Sequence, residues 1–312
     1  MTRRHVALAV AVAVVWGLNF VIIDEGLKVF PPLLFVALRF AVVLLPAIFF
    51  VDRPRVPARY VVGVGAFSGA LQFGLLFVSL SLGMPPGLAS LVVQLQVVFT
   101  IAIAAVALGE RPHRRQLAGA LIALSGVAVI ASTRTGAIVP LGALVLCVAG
   151  SASWGIGNVI TRLARPRDAV AFLVWTSLIP PVPLLILSFL LEGPERIAAA
   201  GRSLTVSAVL ALLYVAFLST GFAYASWAFL LRRYPASTVA PFALIVPVVG
   251  LASAAVFVHE APSPAEVAGA AVVILGLALV TRSVRLPVSR AERATQLGAG
   301  QIPGPARRSN RR

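Results

Sequence analysis

Apolar and polar positions form long blocks along the chain, because extended apolar segments are separated by short polar connections. The apolar segments number ten and lie near residues 6–23, 33–51, 60–81, 86–108, 116–132, 140–160, 169–190, 205–230, 236–258 and 265–281. A helix of about 17–25 apolar residues is long enough to cross the hydrocarbon core of a bilayer. The pattern therefore predicts an all-α polytopic membrane protein with ten transmembrane helices.

The composition supports this class and narrows the chemistry. Hydrophobic residues make up 60% of the chain and charged residues 12%, whereas soluble domains are about 45–50% apolar and about 25% charged. Lys28 is the only lysine, which excludes the phosphate-binding loop GxxxxGK(S/T). Cys147 is the only cysteine, and the three histidines lie far apart without metal-ligand spacing. We therefore expect no disulfide, no metal site and no cofactor.

Positive charges set the expected orientation. With the N-terminus in the cytoplasm, the cytoplasmic segments hold 21 of the 26 lysines and arginines, and the outer loops hold four. Because cytoplasmic loops carry an excess of lysine and arginine, both termini are expected to be cytoplasmic. The net charge of +16 then requires no nucleic-acid partner. Residues 283–312 lack apolar periodicity and are predicted to form a basic, disordered cytoplasmic tail.

An internal repeat divides the remaining chain. GERPHRRQLAGALIALSGVAVI at 109–130 aligns without gaps with HEAPSPAEVAGAAVVILGLALV at 259–280, an offset of 150, and pairs Glu110 with Glu260. VVWGLNFVII at 14–23 is echoed by SASWGIGNVI at 151–160, and their Trp-Gly pairs are 138 apart. The chain is thus predicted to contain two five-helix repeats, residues 1–133 and 134–282. Since five is odd, the second repeat would enter the membrane inverted, an arrangement typical of secondary transporters.

Several of these segments resemble one known family. Five segments are similar to sequences of the EamA family in the drug/metabolite transporter superfamily: WGLNFVII, PPLLFVALRF, GMPPGLASLVVQLQ, GERPHRRQLAG and APFALIVPVVGLASAA. The resemblance covers about residues 5–282 and leaves out the tail. It implies a ten-helix fold of two inverted repeats that exports metabolites through the inner membrane, with O-acetylserine and cysteine as the expected substrates.

Polar residues inside predicted spans are candidates for the transport site, because leaving them in lipid is costly. Arg39 lies roughly two turns into the second span, where its planar fork could bind the carboxylate of an amino-acid-like substrate; snorkelling or a backbone contact is the structural alternative. Trp16 and Asn19 share one helix face, as do Trp154 and Asn158. These two faces would line a central cavity, one from each repeat, unless they are packing seams.

Other candidates have weaker signals. The same cavity could also be lined by Gln72, Gln94, Gln96 and Trp175. Because Gln94 and Gln96 are two residues apart, their side chains should point to different faces of the helix. Pro241 and Pro247 interrupt the ninth span and are candidate hinges, or simply tolerated kinks. Close helix packing is expected at four sites: Gly17, Gly155, Gly157 and the Gly65–Gly69 motif.

The predicted function is therefore secondary transport of a small molecule across the lipid bilayer by alternating access. An exporter of other amino acids or of drugs is the alternative within transport. A channel or a membrane enzyme is the alternative from another class, but a channel usually needs several copies around a pore and an enzyme needs clustered catalytic groups. Nothing in the sequence indicates an oligomer.

Overall fold

The computed structural model describes residues 1–133, 140–234, 236–259 and 263–282. All regular secondary structure in these ranges is helical. The helices are α1 (Arg3–Leu27), α2 (Pro32–Phe50), α3 (Ala58–Ser81), α4 (Pro86–Leu108), α5 (Arg114–Thr133), α6 (Leu141–Ala164), α7 (Ala169–Glu192), α8 (Pro194–Arg202), α9 (Val206–Arg233), α10 (Pro241–Phe257) and α11 (Pro264–Arg282). The predicted tail and Glu260 lie outside the described residues.

The all-helical membrane architecture is confirmed. Within the described residues, seven helices are long and apolar enough to cross a membrane: α1, α2, α3, α4, α6, α7 and α9. Shorter apolar helices, Pro241–Phe257 and Val267–Val280, lie where the last two spans are predicted. Helix α5 has 20 residues and lies at the predicted fifth span. The count of ten spans stays a prediction.

One helix was not predicted from the sequence. Helix α8 lies in the extended connection at about 191–204, which the apolar pattern leaves as a loop. Gly193 adopts a φ of 83°, which turns the chain, and Pro194 occupies the first turn, where a missing N–H is tolerated. Glu195 in the first turn and Arg202 in the last complement the helix dipole.

Distortions of the helices recur in the two parts of the chain. Of the three π-helical stretches in the described residues, Gly65–Leu71 interrupts α3 and Tyr214–Phe222 interrupts α9, and these two form a pair; the third, Ser188–Glu192, ends α7 and has no counterpart in α2. A 3-10 stretch, Val93–Leu95, interrupts α4, and another, Ala240–Leu244, leads from a short helix, Ala236–Val239, into α10. The second member of each pair follows the first at close to the spacing of the sequence repeat. π-Helical turns are rare and are frequent at functional sites.

The end of the fourth helix gives the most specific correspondence. Gly109 follows α4 with a φ of 66°, and His259, 150 residues later, follows α10 with a φ of 54°. Left-handed backbone is uncommon for a residue other than glycine. Both helices are therefore followed by a residue in the left-handed conformation, which glycine favours at 109 and which histidine adopts at 259.

Helices α5 and α11 pack against each other through glycines. A Cβ atom added at Gly119 would lie 2.6 Å from the carbonyl oxygen of Gly276, and one added at Gly126 would lie 2.7 Å from that of Gly269. Residue numbers rise along α5 while those of their contacts fall along α11, so the two helices are antiparallel. In the aligned repeats, Gly119 corresponds to Gly269 and Gly126 corresponds to Gly276. Each glycine of α5 therefore contacts the α11 glycine that corresponds to the other α5 glycine.

The helices that carry the two Trp-Gly pairs, α1 and α6, also pack against helices of the opposite repeat. A Cβ added at Gly17 of α1 would lie 2.5 Å from Cβ of Val249 in α10, and one at Gly155 of α6 would lie 2.8 Å from Cβ of Phe99 in α4. Phe99 and Val249 are 150 residues apart, the offset of the repeat. The first helix of each predicted repeat thus packs on the fourth helix of the other, and the predicted close packing at Gly17 and Gly155 is confirmed.

Candidate functional site

A cavity of about 340 Å³ lies between α3, α6, α7 and α9, with α2 at its inner end. This volume falls in the range of about 300–1,000 Å³ that is usual for small-molecule sites. Six aromatic side chains line it: Phe40, Phe73, Trp154, Phe172, Tyr224 and Trp227. Its polar lining consists of Ser68, Gln72, Asn158, Thr161, Thr176, Ser177 and Thr220, with Arg232 as the charged residue among the described lining.

The distorted part of α3 forms one wall of this cavity. Gly65, Ser68 and Gly69 lie in its π-helical stretch and line the space. Gly65 packs against α7, since an added Cβ would lie 2.5 Å from the carbonyl oxygen of Thr176, and Gly69 packs against Pro180. The close packing predicted for the Gly65–Gly69 motif is confirmed, and it sets the separation between α3 and α7.

Arg39 lies directly behind the wall rather than in it. Its side chain is only 1% exposed, and Nε donates a hydrogen bond of 2.9 Å to Oγ1 of Thr220. The guanidinium carbon lies 3.9 Å from the centroid of the Phe73 ring and 5.4 Å from that of Phe40. Because these three neighbours all line the cavity, Arg39 is separated from it by a single layer of side chains.

The charge of Arg39 has no counterion in the described part of the chain. Its Nη1 atom is buried without a hydrogen-bond partner, and the ion pairs of the described residues involve other side chains. A buried cation without a partner is strongly unfavourable, because the desolvation penalty is not offset. This site is therefore suited to bind an anion, and a planar fork suits a carboxylate in particular.

Asn158 and Trp154 line the cavity from α6. Nδ2 of Asn158 donates to Oε1 of Gln96 at 2.7 Å and to Oγ1 of Thr100 at 3.1 Å. Gly157, the preceding residue, packs against Ser68 of α3. Gln96 thus belongs to the polar network behind the wall without lining the cavity itself.

Trp16 and Asn19 are not among the lining residues. Nε1 of Trp16 donates to the carbonyl oxygen of Ser219 at 3.1 Å, and its ring lies 5.2 Å from Tyr224 and 5.3 Å from Trp227. Trp16 therefore packs against Tyr224 and Trp227, which line the cavity, without lining it itself. Asn19 is 6% exposed and its Oδ1 atom has no partner. Of the two asparagines paired by the sequence, only Asn158 lines this cavity.

The remaining candidates are distributed around the site. Gln72 lines the cavity and its Oε1 atom is buried without a partner. Nε1 of Trp175 donates to the carbonyl oxygen of Val51 at 3.3 Å, and the guanidinium carbon of Arg53 lies 5.9 Å from its ring. Trp175 thus joins the end of α2 to α7 and is not one of the lining residues.

Gln94 and the two prolines of α10 form one arrangement. Pro241 lies in the 3-10 stretch, while Pro247 is buried in the first turn of the α-helical part, Ile245–Phe257. Because Pro247 has no N–H, it leaves the carbonyl oxygen of Ala243 without its usual donor. Nε2 of Gln94 donates to that oxygen at 3.3 Å. Gln94 therefore points toward α10 and Gln96 toward α6, as their spacing predicted.

Glu192 is a functional candidate that the sequence did not single out. It is 8% exposed, and its carboxylate accepts hydrogen bonds from the backbone N–H groups of Leu33 at 2.7 Å and Leu34 at 3.2 Å and from Oγ of Ser188 at 2.6 Å. It caps the first turn of α2 from the end of α7. The Pro31-Pro32 start of α2 signals unpaired N–H groups there, but nothing local identifies a partner about 160 residues away.

Glu110 binds an arginine at the end of α6. Its carboxylate forms a two-pronged ion pair with Arg162, with Oε2–Nη1 and Oε1–Nη2 distances of 2.8 Å and 2.7 Å. This pair ties the connection between α4 and α5 to the end of α6. A second ion pair, between Lys28 and Glu25, lies at the opposite end of α1 from the N-terminus.

Comparisons with known proteins give the family. The profile of the EamA-like transporter family matches residues 3–132 and 141–282. A protein of Salmonella typhimurium named "Probable amino-acid metabolite efflux pump" is 44% identical over 282 residues, which cover 89% of this chain and 94% of the relative. A protein of Escherichia coli with the same name is 42% identical over the same shares.

A more distant relative and a solved structure are also similar to this chain. A "Probable terminal-alkyne amino-acid exporter" of Streptantibioticus cattleyicolor is 29% identical over 238 residues, which cover 74% of each chain. One crystal structure superposes with a TM-score of 0.61 at 23% identity and covers 90% of this chain and 97% of its own; it shows a shared fold. The chain is a multi-pass membrane protein that belongs to the EamA-like transporter family.

Proposed function

We propose that this protein is a secondary transporter that exports small amino-acid-like metabolites across the bacterial inner membrane, with O-acetylserine and cysteine as the first candidates. The observation that carries the proposal is a cavity of small-molecule size beside the buried guanidinium of Arg39, whose charge has no counterion among the described residues and whose Nη1 atom has no hydrogen-bond partner. An amino-acid-like substrate supplies the carboxylate that this cation lacks. The names of the Salmonella and Escherichia relatives support the same class of substrate.

The architecture we propose is a pair of inverted five-helix repeats, 1–133 and 134–282, with ten transmembrane helices. Three observations support it: the two matches of the family profile, the antiparallel exchange of glycine contacts between α5 and α11, and the recurrence of helix distortions at the repeat spacing. Two similar halves of opposite orientation can exchange conformations, which exposes one site to each side of the membrane in turn.

With both termini in the cytoplasm, as the charge distribution predicts, the cavity would face the cytoplasm. The lining comes from the first half of α3, the end of α6, the start of α7 and the end of α9, which the charge distribution assigns to the cytoplasmic side. The opposite side is closed by the first half of α2, where Phe35 is fully buried between Phe30 and Phe77. This is the state in which an exporter takes up its substrate.

In the proposed binding step, the carboxylate of the substrate reaches Arg39 by displacing the ring of Phe73. Thr220 already holds Nε, so the guanidinium is oriented before the substrate arrives. A charge-assisted contact is stronger in a water-poor cavity than in water. Neutralising the buried cation would then stabilise the loaded protein relative to the empty one and favour the conformational change.

Transport in inverted membrane vesicles tests this function. Vesicles containing the protein should take up radiolabelled O-acetylserine and cysteine faster than vesicles without it, because export becomes uptake when the membrane is inverted. Competition with unlabelled compounds separates substrate classes: amino acids should inhibit, and amines that lack the carboxylate should not. Equal inhibition by the amines would contradict the proposed role of Arg39.

A further inference from the structure

Two polar oxygen atoms are buried without a hydrogen-bond partner near the contact of α1 with α9: Oγ of Ser219, whose carbonyl oxygen accepts from Trp16, and Oδ1 of Asn19, which lies one turn along α1 from Trp16. Ser219 is 1% exposed and Asn19 is 6% exposed. The neighbouring polar contacts in this seam use other atoms, since Trp16 donates to the Ser219 carbonyl oxygen and Tyr214 donates to the Val15 carbonyl oxygen at 2.9 Å. Unpaired buried polar atoms are uncommon in native proteins, and each calls for a reason.

The repeat relates this seam to a wall of the cavity. Ser219 corresponds, at an offset of 150, to Gly69 of α3, which lines the cavity. Asn19 corresponds, at an offset of 138, to Gly157 of α6, the residue before the lining residue Asn158. The α1–α9 seam is therefore the counterpart of the α6–α3 wall.

Positions that are open in one half are buried in the other. On α1, Phe20 and Ile23 are 6% and 0% exposed, and on α9, Val215 is 0% exposed. The counterparts of Phe20 and Ile23 are Asn158 and Thr161, which are half-buried and line the cavity. The counterpart of Val215 is Gly65, which lines the cavity although it also packs against α7. The seam is thus packed shut in the same structure in which its counterpart is open.

We propose that Asn19 and Ser219 line a release site that faces the outside when the transporter is in its other conformation, and that they accept hydrogen bonds from the ammonium group of the departing amino-acid-like substrate. This inference rests on the proposed inverted-repeat function. When the cytoplasmic cavity closes, the α1–α9 seam opens as the α6–α3 wall does here, and both oxygen atoms gain water or substrate as partners. Their lack of a partner is then a property of the closed state only.

The chemistry of the two residues suits release. An amide oxygen and a hydroxyl oxygen are neutral acceptors that can bind an N–H donor. Each of these oxygens would accept one hydrogen bond from the ammonium and carries no charge of its own, whereas the contact proposed at Arg39 joins two opposite charges through a fork that can form two hydrogen bonds. A substrate that leaves the buried guanidinium for this seam would therefore be held less tightly and could depart to the outside.

Cysteine accessibility tests the inference. In a Cys147→Ala background, Ser219→Cys is a nearly volume-conserving change, and Asn19→Cys provides a second, independent variant. Ser79→Cys is the matched control, because Ser79 is equally buried but its hydroxyl has a partner, the carbonyl oxygen of Ala143 at 2.6 Å. A membrane-impermeant thiol reagent is added to right-side-out vesicles loaded with O-acetylserine, which drives the protein through its cycle.

We expect cysteines at 219 and 19 to react from the outside at least about ten-fold faster than cysteine at 79, and faster with O-acetylserine inside than without it. Reaction at the rate of the control, or only from the cytoplasmic side, would overturn the release site. Transport of O-acetylserine by the Cys147→Ala parent, which keeps Asn19 and Ser219, separates the two proposals: transport by the parent with control-rate labelling leaves the function and removes the release site. Rapid outside labelling without transport leaves the release site and removes the substrate assignment.

Discussion

The guanidinium carbon of Arg39 lies 3.9 Å from the ring centroid of Phe73, and of the two residues only Phe73 lines the cavity. A cation over an aromatic face gains some stabilisation, of the order of 0.5–2 kcal/mol. That gain is smaller than the penalty for a buried charge without a counterion. The pair therefore holds the charge near the cavity without satisfying it, and this imbalance gives the first two predictions.

Arg39→Met should abolish transport without destabilising the empty protein. Methionine retains most of the apolar contact with Phe40 and Phe73 and removes the unpaired charge, and replacing buried charges by apolar residues is often neutral or stabilising. We expect loss of O-acetylserine uptake in inverted vesicles and an unchanged or higher thermal midpoint in detergent. Arg162→Met, which breaks an exposed ion pair, serves as the control. Wild-type uptake by the Arg39 variant would contradict the carboxylate role.

Phe73→Ala should make Arg39 accessible from the cavity. Removing the ring opens the layer that covers the guanidinium, so phenylglyoxal should modify Arg39 several-fold faster than in the wild type. Mass spectrometry of the peptide that contains Arg39 measures this, and the rate at exposed Arg202 calibrates the reagent. Phe77→Ala removes a neighbouring aromatic ring that does not lie over Arg39 and is the matched variant. Equal rates in all three proteins would show that Phe73 does not cover the site.

The sequence was informative wherever a physical constraint acts locally. The sequence identifies Arg39 as a candidate because a charge inside an apolar segment is costly unless it faces a cavity or a partner. It identifies the glycines because close helix packing requires small residues. The role of Glu192 was not found, since the N–H groups that it accepts from belong to a helix about 160 residues earlier. Under the proposed alternating access, which asparagine lines the cavity depends on which half is open, and the sequence alone does not specify which of two conformations the structure has. The π-helical stretches have no local signature that distinguishes them from ordinary helix.

Gln94 and Pro247 should be energetically coupled through the carbonyl oxygen of Ala243. Gln94→Leu removes the side-chain donor to that oxygen, which then keeps only the backbone N–H of Ile245, and should destabilise the protein by about 1 kcal/mol. Pro247→Ala restores an N–H that can bond to the same oxygen within the helix, so Gln94→Leu should then cost clearly less. Unfolding of the two single variants and the double variant, analysed as a double-mutant cycle, measures the coupling. Additive effects would show that the proline does not create the need for the glutamine.

Glu192→Ala should weaken the closure of α2 against α7. The change removes the acceptor for two backbone N–H groups in the first turn of α2, and loss of a helix cap costs about 0.5–2 kcal/mol. We expect a lower thermal midpoint, whereas the neighbouring Glu195→Ala on α8, whose carboxylate makes no such cap, should leave it nearly unchanged. Glu192→Gln keeps an acceptor oxygen and should lie between the two. A midpoint that does not respond to Glu192→Ala would exclude a capping role.

The inverted arrangement predicts opposite accessibility for equivalent positions of the two repeats. In the Cys147→Ala background, a cysteine at 110 should react with an impermeant thiol reagent in inverted vesicles, and a cysteine at 260 should react in right-side-out vesicles. These two positions occupy the same place in the aligned repeats, so a parallel duplication would expose both on one side. The antiparallel packing of α5 and α11, in which Gly119 meets Gly276 and Gly126 meets Gly269, requires the helices that follow the two positions to run in opposite directions. Labelling of both cysteines from the same side would therefore conflict with the packing of this pair as well as with the charge distribution, and would remove the structural basis for alternating access.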